Sequence, residues 1–267
     1  EAIFGNPLVA GRYAKTPENR PRVWFCDHLH PFDESSVDLI EKHGYEIIKI
    51  ASCSLTDWPL LERIALSEKP IIASTAGGSL EEIDRVVSFF EHRQKKLALM
   101  HCVGEYPTAK ARLELNQIDI LKARYPKVQI GYSTHENPDN FDSIKIAVAK
   151  GASLFEKHVG IPDGDKKLNA YSANPEQLGK WLESAEDAFR VCGVKDQRHV
   201  IHDSERASLL ELRRGAFAIR PIKPGQKIES SDVFSAIPTE KGQITANEWS
   251  KYSVYEASSE IKTNDPI

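Results

Sequence analysis

The sequence predicts an α/β chain built on a (β/α)8 barrel, with a smaller β-rich unit after it. Three observations carry that prediction. Strand-like apolar runs alternate with amphipathic helical segments as far as Gly193. The runs are apolar almost throughout, as strands covered on both faces are. Polar, chemically useful residues gather at the C-terminal ends of these runs, and a barrel places all such ends on one rim around one pocket.

In chain order, the runs are VWFC (23–26), EIIKIA (46–51), PIIAS (70–74), LALMHC (97–102), VQIGYS (128–133) and ASLFEKH (152–158). The helical segments that follow them are 34–43, 57–67, 79–93, 114–124, 139–150 and 174–191. In SLEEIDRVVSFFEH, Leu80, Ile83, Val86, Val87 and Phe90 fall on one face, and Ser79 with Glu82 reads as a capping box. Six βα units are visible, and residues 1–20 do not read as two more. A doubly wound sheet is the competing arrangement. It would leave several polar strand ends unused, and neither a G-x-G-x-x-G after a strand nor a G-x-x-x-x-G-K-[ST] occurs.

The texture changes after Gly193. Residues 194–212 are mostly polar and read as a linker with some helical character. Short strand-like pieces follow, AFAIR (216–220), KIES (227–230), DVFSAI (232–237) and SVYEA (253–257), broken by turn sequences. The expected division is therefore a barrel over 1–193, a linker over 194–212 and a β-rich domain over 213–267. That last piece is too small to hold much of a site alone, so it is expected to cover a barrel mouth or a partner subunit.

Composition excludes several classes. The 267 residues carry 35 basic and 39 acidic side chains, a net charge of −4, with no basic block to meet a nucleic acid. Cys26, Cys53, Cys102 and Cys192 form no C-x-x-C pair, which suggests a reduced, cytoplasmic protein. No apolar run approaches the roughly 20 residues that span a bilayer, and the first residues do not read as a secretory signal.

The candidate chemistry lies at the strand ends. His135 and His158 stand just beyond two successive strands, where neutral imidazoles suit Mn2+, Fe2+ or Zn2+ and leave positions open for substrate. Ordinary hydrogen-bonded rim histidines are the alternative. Lys49 interrupts an apolar strand, so its charge needs an anion. It could bind a phosphate or carboxylate, form a Schiff base, or pair structurally with Glu156. Ser74-Thr75 before Ala-Gly-Gly suits an anion cradle. Glu156 and His158 share a strand face, and so do Ser133 and His135. His101 ends a strand, and His28 and His30 flank another.

Together, KIASCSLTDWPLLERIA, KPIIASTAG, LMHCVGEYPT, GYSTHE and GASLFEKH resemble the N-acetylneuraminate (sialic acid) synthase family, in the same order along the chain. AFAIRPIKPGQKIESSDV resembles that family's small SAF, or antifreeze-like, domain. The resemblance implies a TIM-type barrel, a swapped homodimer whose small domain caps the partner's barrel, and no nucleic-acid or membrane partner. It implies condensation of phosphoenolpyruvate with an N-acylated amino sugar, releasing phosphate and forming a 2-keto sugar acid. A divalent metal, Mn2+ foremost and Mg2+, Co2+ or Fe2+ otherwise, is implied on His135 and His158. Catalysis falls to Lys49, Glu156 and His135, and substrate binding to Lys49, Ser74, Thr75, His101, Tyr106, Ser133 and His30. A Schiff base is then the wrong role for Lys49, because the enolate equivalent arrives ready-made.

The departures from the family pattern cluster on the sugar side. His30-Pro31-Phe32 replaces a threonine-bearing motif, Val103-Gly104 follows His101-Cys102, and Leu168-Asn169-Ala170-Tyr171-Ser172 lacks an expected aspartate. Ile237 stands where the small domain carries an arginine, and the family's first two strands have no match. A different acceptor aldehyde, in surface-polysaccharide or spore-coat sugar biosynthesis, is the expectation. The competing reading is a barrel that keeps a metal- and anion-binding pocket with altered or lost catalysis.

Overall fold

The computed structural model describes residues 28–162 and 167–267, together with the backbone of residues 2–5 and 25–26. Two compact units divide the chain, Glu1–Lys195 and Asp196–Ile267. The first holds a sheet of β1 (Ala2–Gly5), β2 (Phe25–Cys26), β3 (His28–Leu29), β4 (Ile47–Ile50), β5 (Ile71–Ser74), β6 (Leu97–His101), β7 (Gln129–Thr134) and β8 (Leu154–Lys157). Helices α1 (Glu34–Lys42), α2 (Trp58–Ala65), α3 (Leu80–His92), α4 (Gln117–Arg124) and α5 (Asp142–Ala149) alternate with strands β3 to β8, and α6 (Pro175–Cys192) follows. Of the predicted strand VWFC, Val23 and Trp24 lie outside the described residues.

The sheet has eight strands, but strand direction departs from the (β/α)8 expectation. Six strands, β3 to β8, run parallel in sequence order. Beyond β8 the sheet continues with β1, antiparallel, and then β2, antiparallel to β1. Residues 1–20, which do not read as two further βα units, contain the single strand β1 among those described. Strands β2 and β3 stand at opposite ends of the strand order, yet one residue separates them in the chain. The antiparallel strand β1 gives the edge of β8 its backbone partners.

Helix boundaries follow local chemistry. Asp33 caps α1 by accepting from the Ser36 amide, and Ser79 with Glu82 forms the predicted capping box of α3. Two helices start later than their apolar pattern. Glu114 sits at a φ of 47°, in the left-handed region, so α4 begins only at Gln117. Asn137 and Asn140 side chains take the amides of Asp139 and Asp142, holding that stretch in turns before α5.

Strand alternation separates two apolar layers. Ile48, Ile50, Ile71, Ala73, Leu99, Ile130, Tyr132 and Phe155 face the helices, in one core with Val37, Leu61, Val86, Phe90 and Trp181. Ile47, Ile72, Ala98, Met100 and Leu154 form a separate cluster on the inner face. Within the second unit, β9 (Gly215–Ala218) pairs with β11 (Val233–Ala236) and β10 (Lys227–Ile228) with β12 (Tyr255–Glu256), all antiparallel. Ala218, Ile222, Ile228 and Ala257 form its core. A further helix, α7 (Asp203–Glu211), lies in the stretch expected as linker and buries no residue.

Gly131 is dictated by the inner layer. A Cβ there would lie 2.5 Å from the Leu154 carbonyl oxygen and 2.7 Å from the Leu154 Cβ, and would also meet the Met100 sulfur. The carbonyl belongs to the neighbouring strand and cannot yield without disturbing the sheet. Gly131→Ala should therefore destabilise the first unit by about 1–3 kcal/mol, the usual cost of overpacking. A urea melt should show a lower midpoint at unchanged slope; an unchanged midpoint would contradict this packing.

Candidate active site

Alternation also decides which polar side chains enter the barrel. Lys49, Ser74, Cys102, Ser133 and Glu156 each lie two residues beyond an inward-facing residue, Ile47, Ile72, Met100, Gly131 and Leu154 in turn. His135 and His158 follow two residues further on. Register carries the face across the sheet: Lys49 is level with Ile72, Ser74 with Met100, and Ser133 with Glu156. Small and apolar residues fill one level, and a polar level stands above it at the strand ends.

Glu156 is the hub of that polar level, with its side chain only 3% exposed. One carboxylate oxygen, Oε2, lies 3.1 Å from Lys49 Nζ. The other, Oε1, lies 3.6 Å from His28 Nε2 and 3.5 Å from His30 Nε2. Lys49 also donates to Ser74 Oγ at 2.7 Å. Each charge makes the other's burial tolerable, since either alone would carry a desolvation cost of several kcal/mol. The pairing of Lys49 with Glu156, one of the alternatives open from sequence, is thus present, and Ser74 joins it.

His135 and His158 also come together, with ring centroids 5.1 Å apart. Tyr106 packs on His135 at 4.3 Å and Tyr171 stands edge-on to His158 at 5.1 Å. His135 Nδ1 lies 3.1 Å from the Val103 carbonyl oxygen. A carbonyl can only accept, so Nδ1 carries the proton and Nε2 keeps its lone pair, the form a metal-ligating imidazole needs. The donor chemistry therefore fits a divalent ion held by His135 and His158.

Two expected substrate-binding residues point elsewhere. Thr75 and His101 have the outward parity of Ala73 and Leu99. Thr75 donates its hydroxyl to the Met100 carbonyl at 3.0 Å. His101 Nε2 lies 2.8 Å from the Leu113 carbonyl, and its ring stacks on Tyr132. Burial holds the His101 pKa below its ordinary value, which keeps the ring neutral and donating. Tyr106 is more than half exposed at the rim. Lys157 faces outward too, 3.6 Å from the buried Glu136, and burial pushes its pKa down.

Cys102 takes the inward place that His101 was expected to fill. Its sulfur lies 3.7 Å from His135 Nδ1, with Ser133 and Ser52 beside it. Counting two residues on from Met100 would have found it. His28 is likewise more central than its sequence context suggests, and its signal is the H-x-H spacing with His30, just beyond the end of β3.

A family model described as the NeuB family matches residues 27–197. The crystal structure described as a spore coat polysaccharide biosynthesis protein E of Chromobacterium violaceum is 53% identical, with a TM-score of 0.87 over 91% of this chain and 72% of that one. N-acetylneuraminic acid (sialic acid) synthetase of Leptospira borgpetersenii, solved with citrate, is 31% identical, with a TM-score of 0.61 over 67% of this chain and 62% of that one. N,N'-diacetyllegionaminic acid synthase of Campylobacter jejuni is 29% identical over 78% of this chain and 62% of its own length. The chain spans 59% and 60% of the length of two further curated relatives. Among the described residues, no helix is long and apolar enough to cross a membrane.

The thiols give this geometry a pH-dependent test. Burial pushes the Cys102 pKa from 9.0 up to about 11. Its contribution to stability is fully present below pH 9.0 and declines as pH rises toward about 11. At pH 8, iodoacetamide should label the exposed Cys53 and Cys192 and spare Cys102, as read by peptide mass spectrometry. Labelling of Cys102 at the rate of Cys53 would refute its buried placement.

Proposed function

The chain belongs to the NeuB family, and from that premise we propose that its pocket joins phosphoenolpyruvate to an aldehyde-bearing sugar, an amino sugar foremost. The products are a 2-keto sugar acid and phosphate. The observation that carries the reading is the buried Lys49, bonded at once to Ser74 Oγ and Glu156 Oε2 at the inner rim. A cation there, flanked by hydroxyls, is suited to the carboxylate or phosphate of a small anion.

In this reading C3 of phosphoenolpyruvate bonds to the aldehyde carbon, water adds at C2, and the C2–O bond to phosphate breaks. Lys49 neutralises the anionic end of the substrate, while Ser74 and Ser133 fix its orientation by hydrogen bonds. Glu156 lies against Lys49 and the two imidazoles of His28 and His30, so it can hold or pass the proton that the added water gives up. A divalent metal on His135 and His158, Mn2+ foremost, would when bound supply Lewis-acid polarisation of an aldehyde oxygen. Tyr106 and Tyr171, packed tilted and edge-on against those rings, offer apolar surface for the sugar. Residues 213–267 are read as the SAF, or antifreeze-like, domain of a cytoplasmic swapped homodimer, on the strength of the sequence resemblance.

The acceptor differs from N-acetylmannosamine in this reading, because Val103 and Gly104 occupy positions where a polar contact to the sugar is expected. Buried sugar hydroxyls discriminate strongly through such contacts. The same substitutions favour the second reading, a pocket that still binds metal and anion without turnover.

Phosphate release should therefore be followed with phosphoenolpyruvate, Mn2+ and a panel of amino sugars and related aldoses that includes N-acetylmannosamine. At least one acceptor should support turnover, and Lys49→Met should lower kcat/KM by about 100-fold or more, as expected when a charged hydrogen-bonding partner of the substrate is lost. Metal binding with no phosphate release from any acceptor would sink the synthase reading and leave the binding one.

A further inference from the structure

We propose that His28, His30 and Glu156 form a second divalent-metal site in the same barrel, separate from His135 and His158. The inference starts from the H-x-H pair. Residues two apart on a strand project to one face with Cα atoms about 6.5 Å apart, a span that two imidazoles can close onto one ion. Here the His28 and His30 rings have closed to a centroid separation of 5.5 Å, tilted by 40°.

The third donor comes from across the sheet, on β8. The ligand atoms of His28, His30 and Glu156 all lie within 4.8 Å of one another. Glu156 Oε1 is 3.6 Å from His28 Nε2 and 3.5 Å from His30 Nε2. Metal–ligand bonds of about 2.1 Å at tetrahedral angles separate neighbouring donors by about 3.4 Å. The carboxylate–imidazole spacings already match, and small ring rotations would seat an ion between the three.

Burial suits a held but reachable ion. The side chains of His28 and Glu156 are each 3% exposed, while that of His30 is 21% exposed and gives a path from solvent. Because Oε2 is taken by Lys49, Glu156 would bind through Oε1 alone. Two imidazoles and one carboxylate oxygen select first-row ions such as Mn2+, Fe2+, Co2+ or Zn2+, and leave coordination positions open. With the Lys49 ammonium beside it, the ion would create a strongly electropositive corner. The chemical class such a corner takes is a small anion bearing phosphate or carboxylate oxygens.

This deepens the proposed function at one wall of its pocket, yet it can be tested without catalysis. Co2+ is a suitable probe, titrated calorimetrically into the full chain and counted by elemental analysis after desalting. His28→Ala/His30→Ala should bind one equivalent fewer than the unaltered chain, while His135→Ala/His158→Ala should keep the His28–His30 equivalent. Circular dichroism melts report whether each variant folds. Should the first variant fail to fold, anomalous diffraction from Co2+-soaked crystals of the unaltered chain decides. A peak bonded to both Nε2 atoms and Glu156 Oε1 supports the site. Its absence at saturating Co2+, or an unchanged stoichiometry in folded His28→Ala/His30→Ala, overturns it, whatever the phosphate-release assay shows.

Discussion

A carboxylate sealed inside a barrel governs the arrangement of this pocket. Glu156 has water on almost none of its surface and meets Lys49, His28 and His30 from three directions. An uncompensated buried charge would cost several kcal/mol, so the cationic and imidazole groups around it follow from its position. Lys49 in turn reaches Ser74. Four strands, β3, β4, β5 and β8, are thereby tied to one polar cluster, and the corner around Lys49 is assembled from a structural requirement.

Beneath that level lies the packing that sets its height. Ile47, Ile72, Ala98, Met100 and Leu154 fill the inner face, and Gly131 leaves the volume that Met100 and Leu154 occupy. The second polar group, His135 with His158, is oriented differently. The Val103 carbonyl fixes the proton on His135 Nδ1, and Tyr106 and Tyr171 hold the rings by their faces and edges. One wall of the pocket is therefore ionic and the other aromatic. That division suits a reaction between a small anion and a hydroxylated aldehyde.

Much of this was legible in the sequence, for identifiable reasons. Five of the six parallel strands, β4 to β8, and their helices follow from apolar runs and helical periodicity, whereas the run at 23–26 meets β2, antiparallel to β1, and β3 begins only at His28. Inward placement of Lys49, Ser74, Ser133, Glu156 and the two metal-type histidines follows from counting by twos. The misplacements have equally definite causes. His101 and Thr75 are of suitable residue type at a strand end, but they share the outward parity of Leu99 and Ala73 and turn toward the helices, where Leu113 and Met100 carbonyls receive them. Strand β1 could not be read because its pairing with β8 is a long-range event over four residues, with no local pattern to announce it. The contact of His28 and His30 with Glu156 has no local signal, since Glu156 lies more than a hundred positions away in the sequence.

The two-residue rhythm of the strands has a consequence for how such a chain can change over time. Exchanging one side chain for another at position 74, 133 or 156 alters only the contacts which that side chain makes in the pocket. Inserting or deleting one residue within β5, β7 or β8 would instead turn every following side chain to the opposite face, sending hydrocarbon into the pocket and charge into the helix layer. Variation in length is therefore confined to the segments between strands, and variation in chemistry to point replacements on the inner face. A lineage built on this sheet can diversify its pocket by substitution and its surface by insertion, with little freedom to exchange the two.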